Sequence, residues 1–532
     1  MLTPFKNEAL ADFTDAVAKW KMQEALKRVH KEIGLEHALY VGDKKIVSDR
    51  KFQSINPSMK DEVLGIFQLA SKKQVEDAIE TAWESFAAWR VIPAEERALI
   101  LLKTASLMRE HKYDLAATMV YEVGKNWNEA DADVAEAIDF CEFYARECIR
   151  YNRRDDLTPV QGECNEIMYI PLGVGAVIPP WNFPLAILVG MTTAAVAGGN
   201  CVILKPSSDS PWIATKFMNI LRTAGLPPGV VNLVTGSGAE VGDTIVSHPR
   251  TRFIAFTGSR EVGLRINTLA GQTAEGQRWI KRVIVEMGGK DAILVDNNCD
   301  FESAVRGIVR SAFGFQGQKC SACSRAIVHR DLYDRMLDAL KESTEKLVIG
   351  PSHLPEIQMG PLINEKALKK TQEYIVLGKK EGKLICGGEP AEGNGFFLKP
   401  TIFAGIDPDS RLAQEEIFAP VLAVIKADSF DHGLQIANNS QYGLTGSIYS
   451  LDRDHIARGK QEFHVGNLYI NRGCTGALVD VHPFGGFNMS GTDSKAGGRD
   501  YLGLFTQMKS ISEKYTYDYF GKLDSDLVYV HR

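Results

Sequence analysis

The segment Gly314-Phe-Gln-Gly-Gln-Lys-Cys320-Ser sets a cysteine after a glycine-rich turn and beside Lys319. A cysteine attacks only as its thiolate, which a neighbouring cation or a helix N-terminus favours. Cys320 is therefore read as a covalent nucleophile, against the plainer reading of a small buried apolar residue. Cys320 and Cys323 also form a CxxC, the spacing of a redox pair or of half a zinc site. No second CxxC and no suitably spaced histidine pair accompanies it, so no metal is expected and Cys323 is read as packing. Val285-Glu286-Met-Gly-Gly289-Lys290 places a carboxylate at a strand end before two glycines. Glycines allow close backbone approach, and a carboxylate there could activate water as a general base, whereas an isolated acid in a loop would only be solvated. In Pro180-Trp-Asn182-Phe-Pro184 the Asn182 amide could donate to a developing oxyanion, or equally cap a helix. Phe256-Thr-Gly258-Ser259 followed by Gly263 has the form of strand, tight turn and helix start, whose free N–H groups suit a pyrophosphate. It is not GxGxxG and is weak evidence alone.

These residues need a scaffold that brings distant segments together. After a short β start the first part reads as helical. Val75, Ile79, Ala82 and Phe86 share one helical face over 71–90, with Ser71 and Gln74 spaced as a capping box. A second amphipathic block runs from about Ala94 to Tyr151. From Met168 strand and helix alternate: strands at 173–178, 201–206, 230–234 and 253–256, with an apolar helix from Pro184, another through Trp212 to Thr223, and one opened by Gly236-Ser-Gly238 and ending near His248. Strands this apolar with helices between them predict a parallel sheet covered on both faces, with ligands at the carboxyl ends of its strands. A second α/β stretch runs from about Gly288 to Val481, and 284–295 reads as a strand pair at the junction.

At 532 residues the chain is too long for one core. A net charge of −6 without a long run of one sign argues against a nucleic-acid or membrane-surface footprint. The N-terminus lacks the basic-then-apolar order of a secretory signal, and nine scattered cysteines fit free thiols in a reducing cytoplasm. The stretch from Phe183 to Gly199 is short and rich in small residues, so a buried helix is expected there rather than a membrane span.

Taken together, PWNFP (180–184), KPS (205–207), PPGVVNLVTG (227–236), FTGS (256–259), EMGGK (286–290), GQKCSA (317–322), QEEIFAP (414–420) and PFGGFNMSG (483–491) resemble the aldehyde dehydrogenase superfamily, in its motif order and over nearly the whole chain. The resemblance implies an α/β fold of three parts. These are a doubly wound dinucleotide-binding domain (1–150 and 171–287), a catalytic α/β domain (288–481), and a small β oligomerisation element with the C-terminal tail (151–170 and 482–532). It implies that Cys320 adds to the aldehyde, that Asn182 and the Cys320 N–H hold the oxyanion, and that Glu286 activates water. It also implies that NAD, with NADP possible, is bound by Lys205 and Glu416 at ribose hydroxyls and by Ser259 at the pyrophosphate. Phe418 then lies near the nicotinamide-side ribose, with Pro180, Trp181, Gly258 and Met287 alongside.

Within the superfamily, the segments 121–140, FGFQGQKCSACSRA and HVGNLYINRGCTGALV (464–479) look like the 1-pyrroline-5-carboxylate dehydrogenase family, which acts on glutamate γ-semialdehyde. That likeness implies a carboxylate site made of Ser321, Gly476 and Ala477, with aromatic walls Phe183 and Phe484, in a homo-oligomer. Another semialdehyde dehydrogenase, such as one for succinate semialdehyde, would favour an arginine or lysine in the anchor loop, where TGAL offers backbone donors only. A coenzyme-A-acylating relative would not need Glu286, and a binding or structural protein would not need the intact trio Cys320, Glu286 and Asn182. The chain departs from the pattern at Ser208, where many NAD-preferring members have glutamate, at Ala419, where glycine is usual, and in its long tail after Tyr515.

Overall fold

The computed structural model describes residues 3–153 and 157–514. Two seven-stranded sheets carry the described chain. In the first, Arg282–Glu286, Phe253–Thr257, Val174–Ile178, Cys201–Leu204 and Val231–Leu233 run parallel, and Leu39–Val41 and Lys44–Ile46 close one edge antiparallel. The central strands are buried throughout, as expected where helices cover both faces. Helices Ala186–Ala197 and Pro211–Ala224 join them within one large apolar core.

The second sheet orders Lys383–Cys386, Thr401–Ala404, Val421–Ala427, Cys323–His329, Asp291–Val295, Thr445–Tyr449 and Asn467–Ile470, all parallel except the first. Successive strand residues point to opposite faces. Ala292 and Leu294 accordingly enter one apolar cluster, and Ile293 and Val295 another. Glu163–Pro171 and Thr506–Lys514 pair antiparallel as a separate two-stranded ribbon, on which Met168 and Met508 are exposed. Residues 154–156 of the expected oligomerisation element and the tail from Tyr515 lie outside the described residues.

The capping box is present, with Ser71 and Gln74 bonded reciprocally. Two expectations need correction, the order at the N-terminus and the strand pair at 284–295, and two gain detail. A helix, Ala16–His30, capped by Asp15, precedes the β start. The block from Ala94 to Tyr151 is three helices, Ala94–Glu110, Lys112–Val123 and Trp127–Tyr151. Gly124 turns left-handed at φ 68° and Asn126 caps the third helix, so the chain breaks at Lys125. The helix opened at Gly238 begins as a π-helical turn, Gly238–Gly242, before Asp243–Ser247. Finally, the two strands within 284–295 do not pair. Arg282–Glu286 ends the first sheet and Asp291–Val295 enters the second, so Met287 to Lys290 is the crossing between sheets.

Candidate active site

Helix Phe301–Phe313 ends at Gly314, and the next two residues, Phe315 (φ 48°) and Gln316 (φ 56°), are left-handed. Such backbone costs about 1–3 kcal/mol per residue and persists only where the surroundings hold it. Here the Gln316 amide donates to the carbonyls of Gly124 (3.2 Å) and Pro361 (2.8 Å), and Gln318 Oε1 accepts from the Ile363 N–H (2.9 Å). The struts come from two distant segments of the chain and fix the turn that carries Cys320.

Asn182, Glu286 and Glu416 come close to the turn that carries Cys320. Asn182 is buried and its amide donates to the Gln318 carbonyl at 3.1 Å, leaving its second N–H available. Its alternative role as a helix cap is not realised: helix Ala186–Ala197 has no side-chain cap, and Asp133 takes the Ala186 N–H. A Cβ on Gly289 would strike the Cys320 carbonyl, and one on Gly288 would strike the Glu416 carboxylate. The two glycines thus admit the nucleophile loop and Glu416, whose Oε1 accepts from the Gly289 N–H at 3.0 Å.

Glu286 ends its strand buried under the segment 485–494. Ser494 donates to its Oε1 at 2.5 Å and the Gly486 N–H to its Oε2 at 3.0 Å. Burial outweighs these bonds and pushes the carboxyl up to about 8. The Cys320 thiol is likewise held above its ordinary value, by burial first and then by Asp291, Glu416 and Glu286, against the Ser321 N–H. Lys319, the expected activating cation, is paired with Glu129 at 2.9 Å. At rest Cys320 is therefore a neutral thiol, and to act as a nucleophile it would need a base.

Just after the strand Cys201–Leu204, Lys205 is buried and its ammonium donates to the Pro206 carbonyl at 3.1 Å, with burial lowering it to about 8. Ser259 caps helix Arg260–Gly271 by accepting from the Val262 N–H, keeping its own hydroxyl proton to donate. The Gly258 N–H is spent on the Glu286 carbonyl (3.0 Å), so Gly258 contributes its turn rather than that donor. Met287 is buried with its sulfur where a Cβ on Gly263 would lie. Trp181, next to the buried Pro180, meets Phe418 edge to face at 5.6 Å, and Phe418 holds φ 64°.

Ser321 is bound to the loop at 472–477 through its carbonyl, which accepts from Cys474 Sγ at 3.3 Å. No described residue accepts from the N–H groups of Gly476 or Ala477. Phe484 pairs with Ala496 through both backbone bonds and immediately precedes the glycines over Glu286. The Phe183 ring lies 4.2 Å from the Lys125 ammonium. Cys323 is buried in the strand after the nucleophile, as expected of a packing residue.

Sequence reasoning missed Ser494, although it lies in the stretch after PFGGFNMSG, and Lys125, which is fully buried. Lys125 pairs with Asp133 at 3.1 Å and sits between the rings of Phe183 and Phe315, at 4.2 and 4.4 Å. Desolvated cation–π contacts of this kind are worth about 2 kcal/mol. The signal for Lys125 was its place between Gly124 and the capping Asn126.

The model of the aldehyde dehydrogenase family matches residues 45–511. The chain belongs to the aldehyde dehydrogenase family. It is 53% identical over 518 residues to a 1-pyrroline-5-carboxylate dehydrogenase of Geobacillus sp. (strain WCH70), covering 97% of this chain and all of that one. The corresponding protein of Bacillus mycoides (strain KBAB4) is 52% identical, covering 96% and 100%. Among solved structures, 1-pyrroline-5-carboxylate dehydrogenase from Thermus with bound NAD superposes with a TM-score of 0.95 at 50% identity, covering 97% of this chain and 100% of that one. A betaine aldehyde dehydrogenase from Staphylococcus aureus is more distant, with a TM-score of 0.87 at 27% identity, covering 94% of this chain and 100% of that one. Among the described residues no helix is long and apolar enough to cross a membrane.

Proposed function

We propose that this chain oxidises L-glutamate γ-semialdehyde, in equilibrium with 1-pyrroline-5-carboxylate, to L-glutamate with NAD as the preferred hydride acceptor, and that it serves proline degradation. The observation that carries the reading is a set of unspent donors: the hydroxyl of Ser321, next to Cys320, and the N–H groups of Gly476 and Ala477 in the loop that Cys474 ties to the Ser321 carbonyl. Donors of this kind suit a carboxylate, and the relatives that share this chain's length carry the name of that activity.

The cofactor reading rests on the donor set. A buried ammonium at Lys205 with donors to spare, a carboxylate at Glu416, and the hydroxyl of Ser259 at a helix N-terminus suit ribose hydroxyls and a pyrophosphate. Ser208 is exposed and its hydroxyl donates to the Gly236 carbonyl at 3.3 Å. With no carboxylate at that position, repulsion of a 2′-phosphate is reduced and measurable NADP use is expected.

In the reaction, Glu286 takes the proton of the Cys320 thiol and the sulfur adds to the aldehyde carbon. The oxyanion is met by the free N–H of Asn182 and by the Cys320 N–H, which no backbone carbonyl among the described residues occupies. Held by Lys205, Ser259 and Glu416, NAD would supply the acceptor for the hydride of this tetrahedral carbon. Glu286, again ionised, removes a proton from water as its oxygen attacks the thioester, and Cys320 departs with release of the carboxylate. Phe183 and Phe484 enclose the methylene chain. The ribbon of Glu163–Pro171 and Thr506–Lys514, with its exposed methionines, is assigned to contact between copies of the chain in a cytoplasmic homo-oligomer.

Ser321→Ala tests the carboxylate site. A hydrogen bond to a charged group contributes about 1.5–3 kcal/mol, so KM for the semialdehyde should rise about 10- to 100-fold, far more than for propanal. Equal changes in the two KM values would remove Ser321 from the site.

A further inference from the structure

The N–H groups of Gly476 and Ala477 can bind a carboxylate only if both point into the cleft, and a short exposed loop does not hold two peptide planes by itself. Arg472 supplies the missing constraint. Its Nη2 donates to the Thr475 carbonyl at 2.7 Å and to the Gly476 carbonyl at 3.0 Å. In a trans peptide the carbonyl of one residue points opposite to the N–H of the next. The carbonyls that Arg472 gathers are the partners, across their peptide planes, of the Gly476 and Ala477 N–H groups. Drawing both carbonyls to one guanidinium turns both N–H groups the other way.

The guanidinium is itself held. It lies 4.4 Å from the Tyr469 ring centre, and the Arg472 carbonyl accepts from the Ser447 hydroxyl. Tyr469 and Ser447 sit opposite each other in adjacent strands of the second sheet, so the loop is referred to the sheet that also carries Cys323–His329. Gly476 takes φ 79°, a left-handed turn that glycine adopts without strain, and a Cβ there would approach Arg472 Nη2 to 3.5 Å. At the far end of the loop His482 Nδ1 accepts from the Leu478 N–H at 3.2 Å. A cation bonded to the carbonyl side of a peptide also polarises it, making its N–H a stronger donor.

We infer that Arg472 is a positioning residue for substrate specificity: it binds the carbonyl face of the anchor loop and thereby aims the Gly476 and Ala477 N–H groups at the substrate's α-carboxylate. This rests on the carboxylate reading given under Proposed function. It also accounts for an arginine at the anchor loop of an enzyme read as using backbone donors, since its side chain is engaged with carbonyls.

The test compares kcat and KM for glutamate γ-semialdehyde and for propanal, which lacks the carboxylate, in wild type, Arg472→Ala and Arg472→Lys. Arg472→Ala should raise KM for the semialdehyde at least tenfold while propanal kinetics stay within twofold, and thermal stability should read out any general unfolding. Arg472→Lys, which keeps the charge and a compact donor, should recover part of the semialdehyde KM. A wild-type preference for the semialdehyde that survives Arg472→Ala unchanged would overturn the role of Arg472 alone. Equal losses on both substrates would assign it to general structure instead. A wild type without the preference would bring down the carboxylate site, and this role with it.

Discussion

Cys320→Ala should lose aldehyde oxidation by at least about 10⁴-fold, since deleting a covalent nucleophile removes the pathway rather than tuning it. Dinucleotide binding should persist, because Lys205, Ser259 and Glu416 lie on other segments and form no hydrogen bond to the Cys320 side chain. Cys323→Ala supplies the control. Cys323 is buried in the strand after the nucleophile, so its loss costs packing, with most activity retained. Steady-state rates and a dinucleotide titration on both variants decide the matter, and an inactive Cys323 variant beside an active Cys320 variant would reverse the assignment.

The second large effect belongs to Glu286. Burial lifts its carboxyl to about 8, so the base is protonated below that pH and ionised above it. Where the steps it serves limit turnover, kcat should climb about tenfold per pH unit below pH 7 and level off above about 8 to 9. Glu286→Gln should lower kcat about 10²- to 10⁴-fold and abolish this rise. If the glutamine variant still acylates, mixing it with substrate yields a burst of reduced cofactor near enzyme stoichiometry before a slow steady state. A missing burst agrees with Glu286 also taking the proton of the neutral Cys320 thiol, whereas a burst would restrict Glu286 to hydrolysis. Unchanged turnover would exclude it from the mechanism.

Much of this site was legible because its chemistry is written locally. The GQKC turn, the carboxylate before two glycines and the strand-turn-helix at Ser259 each occupy a few adjacent residues, as does the capping box at Ser71. Partners distant in the chain were not legible. Ser494 reaches Glu286 across 208 positions, and Gln316 reaches Gly124 across 192. Local periodicity carries no record of such pairs. The same limit explains the misplaced strand pair: 284–286 and 291–295 have the composition of neighbours, but strand partners are chosen by the sheets, and the glycines between them serve a crossing. Lys319 beside Cys320 predicted thiolate stabilisation, yet Glu129 from another helix neutralises it. Arg472 lies four positions before Gly476, outside the TGAL segment, a distance that its long side chain closes.

The most direct measurement is kcat/KM of the wild-type enzyme with NAD for glutamate γ-semialdehyde, succinate semialdehyde and propanal, assayed side by side. Two or three charge-assisted hydrogen bonds to the α-carboxylate predict a preference of at least about 100-fold for the glutamate semialdehyde over propanal, which lacks the carboxylate. Succinate semialdehyde or propanal equalling or exceeding it would contradict the substrate assignment.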